Sequence, residues 1–516
     1  MTETDAKTET GSRENTIDRG RNITRGLGSL TVQNILTSGL AFIFFFVLVR
    51  LVSYNDYNAY SSAQVSIGIA VVLSTFGLSY AATRYVAFFQ GEDETKAWSA
   101  ARSILLLSLV FTTVVTAVFE ILSGSLSMYF TKSANYTFFF ELAGGWLFTY
   151  SISTMLQGII QGMKHYTLLA KMLLVSRVLM VGFTVIMLEL SHNVDYALVA
   201  WVLYFAVVTL WPLKIIWHNL FLQKSKNDEK QDNKQYSAIM RYTLPLGIAG
   251  LFSILSSSGD SVILGGYTQS LGAYNAALTI SSILTVVLVF PLITTLLPEA
   301  SSSAKADSDI SNGTRLALRF LALGLLPVSL LVASVSNQLL SAFSGGGKYL
   351  IAAEPLELIS ATFVFAGIQS VGYSILLALG KTVQASVAAI VMALADISLA
   401  LVLVPSFGIL GATTSRIVVA AIGMIVSLYF IRTHLRSLDS YVFYLKGIVA
   451  AVVPSLVVFA LSSFVSSRII SLVPYAVLWA ILFLACARAL RIFSEEDRSF
   501  ISHLTPAPLQ RFIKYL

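Results

Sequence analysis

Six residues are the first candidates for chemistry among the charges within or at the ends of long apolar runs, where a charge is costly unless it meets a partner, a ligand or water. They are Arg50, Arg84, Arg177, Asp260, Asp396 and Arg416. Asp396 precedes the turn at Pro405–Phe407 by about nine residues, and Arg416 follows it by about nine. Adjacent antiparallel helices would bring both to one depth, roughly 13 Å below the outer surface at about 1.5 Å per residue. Such a pair either fixes the hairpin as a buried ion pair or lines a cavity, where it binds an anion or exchanges partners during transport. Arg177 has no acid at its depth in the run before it. It has instead a polar stripe of Tyr150, Ser151, Ser153, Thr154 and Gln157. A guanidinium among hydroxyls and an amide suits a phosphate, since its planar fork donates two hydrogen bonds to oxygens. Helix packing could also satisfy it. Arg50 and Arg84 sit at opposite ends of the first hairpin, as interfacial anchors or as gates to a cavity. Asp260 follows Ser256-Ser257-Ser258-Gly259, a run that packs closely or lines water.

The elements that must position these residues are membrane-spanning helices. Of 516 residues, 56% are hydrophobic and 12% charged. Soluble domains carry about 25% charged residues, and the apolar runs do not alternate as barrel strands would. The fold class is therefore all-α and polytopic, with about fourteen transmembrane helices. Residues 1–28 form a polar N-terminal tail with no cleavable leader, and 29–218 hold six spans, the second expected over 61–83 and the third over 101–122. Residues 219–239 contain a linker, whose Gln223–Gln235 stretch has no apolar face and reads as solvated and flexible. Residues 240–431 hold six more spans, 444–492 two further ones, and 493–516 a basic tail.

Charge sets the orientation. With the N-terminus inside, 28 of the 34 Lys+Arg fall on the inner side. Four lie outside (Arg50, Lys132, Lys348 and Arg468), and Arg177 and Arg416 fall within spans. That asymmetry places both termini in the cytoplasm. It also accounts for the net charge of +7 without nucleic acid. A faint repeat relates Ala59-Tyr60-Ser61-Ser62-Ala63 to Ala273-Tyr274-Asn275-Ala276-Ala277, as two parallel six-helix lobes would.

Other motifs carry no chemistry. Asp307-Ser308-Asp309 lies in a short inner loop and reads as a solvated turn. Gly380-Lys381-Thr382 lacks the first glycine and the strand of a phosphate loop. The five histidines have no metal-ligand spacing, and the single cysteine, Cys486, excludes a disulfide within the chain. No cofactor is implied.

Several motifs resemble those of the polysaccharide and lipid-linked oligosaccharide flippases of the multidrug/oligosaccharidyl-lipid/polysaccharide (MOP) exporter superfamily. They are Arg50-Leu51-Val52 with Asp56-Tyr57-Asn58-Ala59-Tyr60, in which Asn58 departs from a glycine. Next come Phe76-Gly77-Leu78 with Ala81-Ala82-Thr83-Arg84-Tyr85, then Leu156-Gln157-Gly158 and Gln161-Gly162. Leu244-Pro245-Leu246, Asp260 and Leu271-Gly272-Ala273-Tyr274 follow, and Phe407-Gly408-Ile409-Leu410-Gly411-Ala412 closes the series. The resemblance implies a MATE-like pair of six-helix bundles around a cavity, two extra helices, alternating access and a lipid-linked saccharide as cargo. On this reading the chain works as a monomer in the cytoplasmic membrane, with H+ or Na+ as a possible driving ion. Arg177, Arg84, Arg50 and Arg416 would meet the phosphate, and Asp396, Arg416 and Asp260 would couple binding to lobe motion. A cation-coupled drug exporter of the same fold is the alternative. A membrane glycosyltransferase would need larger outer loops.

Overall fold

The computed structural model describes residues 36–90, 94–191, 194–217, 228–289, 307–344, 347–379, 381–432, 439–462 and 472–492. The two tails, residues 219–227 of the linker, and residues 290–297, the end of a span expected over 273–297, lie outside them. The described residues are helical apart from short turns. Ten helices are long and apolar enough to cross a membrane, or twelve if each of two bent pairs counts as one span. The helix Leu36–Leu51 (α1) is apolar but shorter. The helix Thr137–Gly162 (α5) has the length of a span and carries the polar stripe. Large apolar side chains such as Ile121, Leu190 and Val402 are exposed on helix exteriors, where lipid would cover them. The chain is a multi-pass membrane protein.

Two compact units account for the chain. The first comprises the described residues of Met1–Val52, Ser66–Met128 and Ser133–Leu251. The second comprises those of Ser53–Val65, Tyr129–Lys132 and Phe252–Leu516.

In the first unit, the part of α2 (Tyr54–Thr75) from Ser66 onward meets α3 (Leu78–Gln90) at a 42° bend. Phe76 and Gly77 both have positive φ there, which breaks the single expected span 61–83. α2 starts at Tyr54 because the Ser53 hydroxyl accepts the Asp56 N–H at 3.2 Å and donates to the Asp56 carboxylate at 2.7 Å, a reciprocal cap. α3 then packs on α5 through small residues. A Cβ at Gly158 would meet the Ser79 carbonyl at 2.7 Å, and one at Gly162 would meet Val86 Cβ at 2.8 Å. Buried Ala81 and Ala82 face this seam, so the motif residues of α3 and α5 have a packing reason. α4 (Glu94–Thr131) runs 38 residues and overshoots the expected span 101–122. α6 (Tyr166–Ser191) packs along α7 (Val194–Trp217), which packs along α5. α8 (Asp228–Tyr267) takes residues 228–235 of the charged stretch into a helix rather than a flexible linker.

In the second unit, α9 (Leu271–Leu284) begins against the first turns of α2. The Gly272 N–H donates to Asn58 Oδ1 at 2.8 Å. These two residues stand 214 apart, at matching positions of the repeat, so the asparagine that departs from the family's glycine makes this bond. α10 (Asp307–Phe320) begins at Asp307, so the Asp307-Ser308-Asp309 stretch opens a helix instead of a free turn. α11 (Leu326–Ser334), α12 (Ser336–Ser344), α13 (Ala353–Ala361) and α14 (Phe363–Ala378) follow, and a 47° bend falls at Thr362. α15 (Thr382–Phe407) and α16 (Ile409–Ile431) form a tight hairpin. Gly408 turns it at φ 55° and ψ −126°, a conformation that side chains oppose. A Cβ at Gly411 would meet the Leu403 carbonyl at 2.3 Å. α17 (Tyr441–Ser462) and α18 (Leu472–Ala489) pack with α11, where Trp479 Nε1 donates to Ser455 Oγ at 2.9 Å.

Candidate functional site

A cavity of about 700 Å³ opens within the second unit, walled by α8, α9, α13, α14, α15 and α16. Its wall includes Ser257, Ser282, Gln369, Ser370, Asp396 and Arg416. The volume lies in the range of small-molecule sites, about 300–1,000 Å³.

A cluster of charges stands at one side. Asp260, wholly buried on α8, receives Arg416 side-on: Nε donates to Oδ2 at 2.7 Å and Nη2 to Oδ1 at 2.6 Å. Nη2 also donates to the Ser257 carbonyl at 2.7 Å. The Tyr274 hydroxyl donates to Asp260 Oδ2 at 2.5 Å and accepts from Arg416 Nε at 3.0 Å. The Ser261 N–H completes the shell of Oδ1 at 2.6 Å. Asp396 on α15 accepts the backbone N–H of Asp260 at 3.0 Å, and the Ser415 hydroxyl reaches its Oδ1 at 3.3 Å.

The structure thus brings Asp260, Asp396 and Arg416 together but changes the pairing. Depth along the hairpin is as expected, since Ser415, the neighbour of Arg416, meets Asp396. Arg416 turns to α8 and pairs with Asp260, whose two oxygens meet the guanidinium edge-on. A bidentate partner neutralises most of the guanidinium's charge, so Arg416 has little left for a phosphate.

The other three arginines belong to the first unit. Arg177 Nη1 makes a 3.4 Å contact to Met180 Sδ and lies near Tyr204 of α7. The polar stripe of α5 is engaged elsewhere. Ser151 Oγ meets Ser74 Oγ at 2.6 Å, Thr154 donates to the Tyr150 carbonyl at 2.9 Å, and Gln157 donates to Ser153 at 3.5 Å. The reason is that α6 rests on α7 more than on α5. Arg84 lies over the Tyr242 ring at 4.4 Å and Arg50 over Phe46 at 5.5 Å, both exposed.

Sequence reasoning missed Tyr274, Ser415 and the cavity wall. A signal existed for the wall: Thr362, Ala366, Gln369, Ser370 and Tyr373 recur at helical spacing, a small and polar stripe on an otherwise apolar helix. In the sequence Tyr274 stands out for the repeat and the family resemblance, with nothing to mark its bond to Asp260.

Many apolar helices, two of them bent pairs, with a polar cavity held inside them, define a polytopic membrane protein with an internal polar site. The particular family follows from sequence: the model of the polysaccharide biosynthesis protein family matches residues 23–304, and the chain belongs to that family. None of the curated proteins matches the chain. Among solved structures, it is similar to the lipid II flippase MurJ in an inward closed conformation. The identity is 12% and the TM-score 0.72, over 90% of this chain and 97% of that one. It is also similar to an inward-facing multidrug resistance MATE family transporter, at 14% identity and TM-score 0.59, over 79% of this chain and 96% of that one. A third is a MOP superfamily transporter from Pyrococcus furiosus, at 14% identity and TM-score 0.57, over 80% of this chain and 96% of that one. These likenesses establish the fold. Asp396 and Arg416 lie beyond the stretch that the family model matches.

Proposed function

We propose that this chain is a flippase. It would carry a saccharide linked to a polyprenyl or dolichyl phosphate or pyrophosphate across the cytoplasmic membrane by alternating access. The physical problem is the head group: each polar group taken into hydrocarbon without a partner costs about 2–7 kcal/mol. The observation that carries the reading is a cavity of about 700 Å³ lined by hydroxyls inside apolar helices. Membership of a polysaccharide biosynthesis family and a fold shared with a lipid II flippase support it. Both termini are cytoplasmic on this reading, and the monomer suffices.

Arg177 is the first candidate for a phosphate contact, followed by Arg84 and Arg50. The Asp260–Arg416–Asp396 cluster couples occupancy of the cavity to motion of its helices, because one guanidinium faces two carboxylates and three helices meet there. Complementation of a flippase-deficient strain tests the reading. Wild type restores the surface glycan and Arg177→Ala does not, at equal membrane abundance. Full complementation by Arg177→Ala removes the phosphate role. No restoration by wild type in strains lacking any of several glycan flippases removes the flippase reading.

The second reading, a cation-coupled exporter of small molecules, draws on the fold shared with a multidrug transporter and on two carboxylates beside one guanidinium. Drug efflux that depends on an H+ or Na+ gradient would favour it.

A further inference from the structure

The wall of the second unit's cavity has a hydrogen-bonding sense. Five of its ten hydroxyls give their protons to their own helices. Ser257 donates to the Ile254 carbonyl at 3.1 Å and Ser282 to Thr279 at 2.7 Å. Thr362 donates to Leu358 at 2.7 Å, Ser370 to Ala366 at 2.8 Å and Ser374 to Ser370 at 2.8 Å. A hydroxyl so engaged presents oxygen lone pairs. Asp396 adds a carboxylate to the same wall. Donors are fewer. Gln369 Nε2 already contacts Met392 Sδ at 3.0 Å and keeps one N–H. Arg416 spends Nε and Nη2 on Asp260, and its Nη1 makes no hydrogen bond among the described residues.

The charges point the same way. Two carboxylates face one guanidinium, and that guanidinium is already matched by Asp260. A phosphate or pyrophosphate offers only acceptors and negative charge. It would meet the carboxylate of Asp396 with a guanidinium already matched by Asp260 as the cation among the described residues of the wall. A neutral polyol offers O–H groups to the lone pairs and oxygens to the donors, and it brings no like charge to Asp396.

We infer that this cavity is a site for the uncharged sugar portion of the cargo and not for its phosphate. Sugar hydroxyls donate to Ser257, Ser282, Thr362, Ser370 and Ser374 and accept from Gln369 and Arg416 Nη1. The inference rests on the flippase reading and deepens it by assigning one part of the head group to one place.

The test uses the full chain in proteoliposomes with two probe lipids. One is polyprenyl phosphate bearing a neutral hexose, and the other is bare polyprenyl phosphate. Movement of the first is read by protection from external periodate, and of the second by protection from an external phosphatase. The measured quantity is the ratio of the two rates within one protein. Removing the acceptors in Ser370→Ala/Ser374→Ala lowers that ratio about five-fold or more, and Ser282→Ala, on a different helix, lowers it as well. Ser370→Thr/Ser374→Thr retains it, because the oxygen remains. A wild-type ratio in the alanine variants overturns the sugar assignment, and so does an equal fall in the alanine and threonine variants. Wild-type protein that moves neither lipid overturns the flippase reading itself.

Discussion

Gly259 lies against the carboxylate of Asp396. A Cβ at 259 would come within 2.8 Å of Oδ2, the same oxygen that accepts the Asp260 N–H at 3.0 Å. Close approach of α8 and α15 therefore depends on a missing side chain. Gly259→Ala separates the helices and costs about 1–3 kcal/mol. Gly182 on α6 is the contrast, with nothing within 4 Å of a built Cβ. Gly182→Ala stabilises by about 0.5–1 kcal/mol through chain entropy. Thermal unfolding of the two variants in one detergent checks both signs.

Arg416→Met strands the buried carboxylate of Asp260. Removing one partner of a buried pair costs about 3–5 kcal/mol, whereas replacing both costs less. The double variant Asp260→Asn/Arg416→Met is therefore more stable than Arg416→Met alone. A double-mutant cycle on the unfolding midpoint reads the coupling directly. Strict additivity would mean that the pair is not a unit.

Tyr274→Phe deletes the donor to Asp260 Oδ2 and the acceptor for Arg416 Nε at once. A hydrogen bond to a charged group contributes about 1.5–3 kcal/mol, and the loss falls in that range. If Tyr274 serves only the repeat's packing, phenylalanine there leaves the unfolding midpoint unchanged.

Trp479 and Ser455 join α18 to α17 at 2.9 Å, far from the cavity wall in sequence. Ser455→Ala lowers stability by about 0.5–1.5 kcal/mol and leaves the ratio of glycosylated to bare lipid movement at its wild-type value. A changed ratio would give the last two spans a part in selecting cargo.

Much of this architecture was legible in the sequence, for physical reasons that differ by element. Long apolar runs force helices because lipid offers the backbone no partners, so most spans could be drawn. The end of α4 lies beyond the expected one: the helix runs on through Ser123-Gly124-Ser125, and the break comes at Lys132 with φ 56°. The bend after Thr75 depends on positive φ at Phe76 as well as Gly77, and no pattern marks a phenylalanine for that. At the site, helical rise put Asp396 and Arg416 at one depth, and the Ser415 contact agrees. Rotation about the helix axis is not encoded in depth. The partner of Arg416 came from α8, some 156 residues away, and only packing selects it. The same limit applies to Arg177, whose expected neighbours on α5 bond elsewhere.

The central claim is that cargo passes through the second unit's cavity, and blocking the cavity tests it most directly. In a Cys486→Ser background the chain has no other cysteine. Ser282→Cys places a thiol on the cavity wall, and Val402→Cys places one on an exposed helix face. Each is labelled with a bulky maleimide and assayed for movement of the sugar-bearing lipid. The account predicts that labelled Ser282→Cys loses translocation while labelled Val402→Cys keeps it. Translocation at the unlabelled rate through labelled Ser282→Cys would contradict it.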